Sequence, residues 1–160
     1  MTIKALTTRL LFVCAVFGFL AVGMLRPAHT DDATYVGSAA CKDCHEDEYA
    51  NFYKYSKKVH SGKAILTMAT DLTQDELKEC FHCHTTGYGE PGGFESFDKT
   101  PDLANAGCEV CHGPGSRHVD EFGDTQYIKG KLTIKDCERC HNPERVAAFD
   151  YKPLIFGGAH

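Results

Sequence analysis

Hydrophobic and polar positions divide the chain into two unlike stretches. Residues 10–25, LLFVCAVFGFLAVGML, are an uncharged apolar run of 16 residues, with Lys4 and Arg9 before it and Arg26 after it. Beyond residue 30 the apolar positions come in short groups, broken by glycine, proline and charge, and no alternating strand pattern is sustained. Helices are predicted instead. Residues 46–60, EDEYANFYKYSKKVH, begin acidic and end basic, as the helix dipole favours. Thr73 and Glu76 form a capping box that opens a helix running into Cys80. AILTMA, residues 64–69, is an apolar helical stretch in which Met68 is expected to pack. Asn142 and Pro143 read as an N-cap and first turn leading into ERVAAF. GYGEPGG and HGPGS are turns. The fold class expected is mainly α, made of short helices and loops.

The apolar run behind a basic start has the plan of an export signal. At 16 residues it is short of the ~20 that span a membrane. Residues 1–30 are therefore expected to be a signal peptide, or an anchor if retained, and residues 31–160 the functional domain. Ala28 and Thr30 permit cleavage before Asp31. Cys14 reads as a hydrophobe, because Leu11, Phe12 and Val13 make a poor lipobox. A periplasmic location follows. The expected domain holds all 22 acidic residues against 11 Lys and 3 Arg, a net charge of −8. That balance disfavours nucleic acid and suits a redox partner with a basic docking patch.

The cysteines narrow the class. Apart from Cys14 there are eight, all in Cys-x-x-Cys pairs, and a histidine follows every pair. The units are Cys41, Cys44, His45; Cys80, Cys83, His84; Cys108, Cys111, His112; and Cys137, Cys140, His141. Disulfides, zinc and thiol redox chemistry each use paired cysteines. None requires histidine directly after every pair. Covalent attachment of haem c does: two thiols bond the vinyl groups, and the next residue sets an imidazole under the iron. Four such units imply four haems and a tetrahaem c-type cytochrome. With 130 residues to share, each haem has fewer than 33. The haems must then form much of the core, closely packed, against Phe52, Tyr53, Phe81, Tyr88, Phe94, Phe97, Phe122, Tyr127, Phe149 and Phe156.

Each iron has a second axial position. The spare histidines are His29, His60, His82, His118 and His160. Met68 is the one methionine beyond the apolar run. His60 lies near the end of the first predicted helix. His118 follows the Gly-Pro-Gly turn, which points it away from its own haem. His160 follows two glycines that permit a close approach. His82 sits between two attached cysteines and can reach only a neighbouring haem. His60, His118 and His160 are the preferred ligands, beside His45, His84, His112 and His141.

Over residues 35–141 the chain resembles the cytochrome c554 family. The resemblance rests on YVGSAACKDCHEDEYANF, HSGKA, CFHCHTTGYGEPGGF, GCEVCHGPGSRH and CERCH, in that order. It implies a helical fold with stacked haems, His118 as ligand of haem 1, His60 as ligand of haem 3, and an open distal side at haem 2. This chain departs from the family after the fourth motif, where only His160 remains, and in the extra His82. The expected function is a periplasmic electron carrier or relay rather than an enzyme. The alternative is reduction of nitric oxide or a similar nitrogen oxide at an open haem 2, with Tyr88, Glu90 and His82 nearest in sequence. A weaker alternative is a subunit of an extracellular cytochrome filament.

Overall fold

The computed structural model describes residues 33–142. The chain divides into two units, Met1–Asp31 and Asp32–His160, and every described residue belongs to the second. Among the described residues there are helices and turns and no strand, so the fold is mainly α. The α-helices are α1 (Glu46–Tyr55), α2 (Ser61–Met68), α3 (Gln74–His84), α4 (Glu109–His112), α5 (Ser116–Asp120) and α6 (Ile134–Glu138). Tight 3₁₀ turns at Ser38–Cys41, Lys57–His60, Ala69–Asp71, Pro101–Leu103 and Thr125–Tyr127 connect them. None of the described helices is long and apolar enough to cross a membrane.

The predicted first helix is shorter than its charge pattern suggests. It carries Glu46, Asp47 and Glu48 in its first turn but ends at Tyr55. Ser56 leaves helical geometry (φ −87°, ψ 126°), and its hydroxyl accepts the Lys58 N–H at 3.3 Å. A serine that can cap a new turn competes with helix continuation. Residues 57–60 therefore form a separate turn, and His60 stands at the junction with α2. The capping box of α3 is present in full: Glu76 N–H donates to Thr73 Oγ1 and Thr73 N–H to Glu76 Oε2. That helix runs past Cys80 to His84. Met68 is 59% exposed, so its expected packing role is not met; it lies on the outer side of α2. Of the aromatic residues expected against haem, Phe122 is 99% exposed. Phe149, Phe156, His29, His160, Cys14 and the helix expected after Asn142 lie outside the described residues.

The buried apolar residues among those described are few: Phe52, Val59, Ile65, Leu77, Phe94, Leu103, Ala106 and Cys137. Phe81 packs edge-on against Tyr88, Phe94 and Phe97 beside them. Polar staples join distant loops. Thr86, 2% exposed, donates to the Asn105 carbonyl at 2.6 Å and accepts the Gly107 N–H at 2.9 Å. The GYGEPGG turn closes on itself: a Cβ on Gly93 would lie 1.7 Å from the Gly87 carbonyl oxygen. Gly87 (φ +71°) is equally constrained, since a Cβ there would lie 2.5 Å from the Tyr35 ring.

Candidate functional site

The four Cys-x-x-Cys-His units share one local conformation. His45, His112 and His141 each donate a backbone N–H to the carbonyl of the first cysteine four residues earlier, at 2.9, 3.1 and 2.9 Å. The second unit lies inside α3. In a helical turn, positions i, i+3 and i+4 fall on one face. Each unit thus presents two thiols and an imidazole together. The described cysteines form no disulfide with one another. No three of His, Cys, Asp or Glu converge as metal donors among the described residues.

Burial governs the thiols. It pushes Cys111 and Cys137 upward and drives Cys140 up to about 12, with a hydrogen bond to Cys83 as the next cause. Cys108 is the exception. The hydrogen bond from the Cys41 thiol holds it down at about 6, and the same contact raises Cys41. Two attachment contacts are therefore built in. Cys41 of the first unit neighbours Cys108 of the third, and Cys83 of the second neighbours Cys140 of the fourth.

The imidazoles are set for metal ligation through Nε2. His84 Nδ1 lies 3.3 Å from the Ser61 carbonyl, His112 Nδ1 2.7 Å from the Lys129 carbonyl, and His118 Nδ1 3.0 Å from the Asp124 carbonyl. A carbonyl can only accept, so each Nδ1 carries the proton and Nε2 keeps its lone pair. Metal-bound histidines are anchored in this way. Burial, with the charge of Lys58, pushes His141 below its usual range, toward the neutral ring a metal requires. His60 is exposed at the start of α2. His82 is exposed and packs edge-on against Tyr88 at 4.9 Å.

One pair of rings has a diagnostic separation. His45, from the first unit, and His118, on α5, have ring centroids 6.3 Å apart and planes 23° from parallel. Two imidazoles bound on opposite sides of one metal, with bonds of about 2.0 Å and centroids about 1.15 Å behind the bonding nitrogens, stand about 6.3 Å apart. The residues present therefore fit a covalent haem with histidine on both sides.

Two residues important to this arrangement carry no signal of their own in the sequence. Glu109, 2% exposed, accepts the N–H groups of Val36 at 3.0 Å, Gly37 at 2.8 Å and Gly115 at 2.7 Å. It ties the approach to the first unit to the turn after the third. Ser38 adds to the seam by accepting the Cys108 N–H at 3.0 Å. The one hint for Glu109 is its place between the cysteines of GCEVCHGPG.

Attachment turns, anchored imidazoles and a sparse apolar core define the class: a c-type cytochrome. Residues 40–113 match the model of the family described as "Cytochrome c554 and c-prime". The chain is 35% identical over 96 residues to cytochrome c-554 of Nitrosomonas europaea, a match covering 52% of this chain and 40% of that relative. No solved structure matches. Through residues 40–113, which carry the first three attachment units, the chain is similar to the cytochrome c554 family.

Proposed function

We propose that the protein is an exported, periplasmic tetrahaem cytochrome that relays electrons between redox partners, such as a quinol-linked donor and a soluble or extracellular acceptor. Haem c supplies the Fe(III)/Fe(II) couple. The chain's part is to attach, orient and space the groups. Cys41, Cys44, Cys80, Cys83, Cys108, Cys111, Cys137 and Cys140 provide the thioether bonds. His45, His84, His112 and His141 are the proximal ligands. His118 is the second ligand at haem 1 and His60 at haem 3; His160 is assigned to haem 4. The His45–His118 separation of 6.3 Å carries this reading. Histidine on both sides leaves no open coordination position for a substrate and makes a haem an electron carrier.

The sulfur contacts support close spacing. Cys41 neighbours Cys108, attachment residues of haems 1 and 3 in this reading, and Cys83 neighbours Cys140, those of haems 2 and 4. The small apolar core fits a domain whose interior is completed by the haems. The charge of −8 beyond residue 30 suits a donor or acceptor with a basic patch. The apolar run at residues 10–25 supports export, with cleavage or retention as an anchor.

A second reading is reduction of a small nitrogen oxide at haem 2. It is supported by the resemblance to the cytochrome c554 family, which implies an open distal side at the unit Cys80, Cys83, His84. Carbon monoxide added to the reduced protein separates the two. No uptake in optical spectra is expected of a carrier with every haem closed. Uptake by one haem in four would move the assignment toward the enzyme.

A further inference from the structure

Ser61 stands where two haem sites meet. Its hydroxyl lies 2.7 Å from the Lys58 carbonyl and 2.7 Å from the His84 carbonyl, and it accepts the Ala106 N–H at 2.8 Å. One hydroxyl proton is shared between the two carbonyls. The carbonyl of Ser61 itself accepts from His84 Nδ1 at 3.3 Å. One residue therefore holds His84, 23 positions away, at both its backbone and its ring. Ser61 is also bonded directly to His60, and Ala106 leads through Gly107 into Cys108.

The surroundings leave this contact little slack. Gly62 N–H donates to Asn105 Oδ1 at 3.0 Å, and a Cβ on Gly62 would lie 2.1 Å from the Ala104 carbonyl oxygen. Residues 61 and 62 are pinned against 104–106. The backbone next to His60 is therefore held at a fixed place relative to His84.

We propose that Ser61 is a positioning residue that couples two axial ligands. It fixes the orientation and donor strength of His84 at haem 2 and, through the adjoining peptide, the placement of His60 at haem 3. The second half rests on the assignment of His60 given above; the first does not. A hydrogen bond from Nδ1 to a carbonyl makes the opposite nitrogen a stronger donor, which favours Fe(III). Loosening it favours Fe(II).

The test uses the haem-loaded protein with Ser61→Ala, Ser61→Thr and Ser61→Cys. Ser61→Ala keeps the carbonyl that accepts from His84 Nδ1 but removes the hydroxyl that fixes the backbone behind it, so in spectroelectrochemical titration it should raise the reduced-to-oxidised ratio of one haem component at fixed potential by about threefold. In ¹⁵N-histidine NMR, the ring N–H of His84 should exchange with solvent faster. Ser61→Thr, which keeps the hydroxyl, should restore both. If Ser61→Ala does not load haem, Ser61→Cys, with its weak donor, decides the matter and should shift part of the way. A parent-like titration and exchange in the variant that loads overturns the proposal, even if its unfolding midpoint falls. His60→Ala keeps the two assignments apart. A new high-spin haem there, with Ser61→Ala silent, removes Ser61 alone. No high-spin haem there removes His60 as a ligand and the second half of the proposal with it.

Discussion

His118 illustrates how a single side chain is prepared for an iron. Its Nδ1 is tied to the Asp124 carbonyl, and its ring centroid lies 6.3 Å from that of His45. His118→Ala should convert one low-spin haem to high-spin, roughly a quarter of the haem signal, in electron paramagnetic resonance of the oxidised protein. An unchanged spectrum would remove it from the ligand set. Glu109 belongs to the same scale. Glu109→Ala leaves three buried N–H groups without their acceptor and should destabilise the loaded protein by about 3 kcal/mol or more in urea unfolding. Glu109→Gln, which keeps one acceptor oxygen, should cost less. The attachment residues are legible in the sequence because their chemistry demands fixed local spacing. Glu109 and Ser61 are not, because their partners lie 73, 72 and 23 residues away and nothing local announces them.

At the scale of elements, caps decide where the helices begin. Thr73→Ala removes the hydroxyl that receives the Glu76 N–H and should lower stability by about 1 kcal/mol, seen as a lower urea midpoint. The helix carrying the fourth unit, α6, starts with a second capping box, Thr133 with Asp136. The hydrogen bond from Lys129 holds the Asp136 carboxyl down at about 2, against an ordinary 3.8, and the Thr133 N–H adds to it. The folded state therefore prefers the ionised form. This contribution is complete above pH 3.8 and is lost as pH falls through about 2. An acid unfolding titration followed by circular dichroism should show that dependence between pH 4 and 2, and Asp136→Asn should flatten it. High salt should weaken it as well, because Lys129 is about half exposed. The start of α3 is legible because its box is local. The end of α1 is not, because the charge pattern continues through Ser56 while its hydroxyl favours a new turn.

For the whole molecule, the proposed function turns on how little protein there is to enclose four haems. The described part is held by a few buried apolar residues, polar staples and two sulfur contacts between attachment units. Its mainly helical class is legible in the sequence from turns and capping signals. Which units meet is not, because uneven separations of 34, 23 and 24 residues carry no information about proximity. If haems are attached as proposed, the nearness of Cys41 to Cys108 and of Cys83 to Cys140 predicts magnetic and redox interaction within those two haem pairs. Stepwise reduction should therefore not follow four independent one-electron curves. The most direct test of the central claim is the intact mass of the protein matured in a host with haem-attachment machinery. The account predicts the mass of the chain, with or without residues 1–30, plus four covalent haems that survive acid and organic solvent. A mass corresponding to free thiols, disulfides or bound zinc at those cysteines would contradict it.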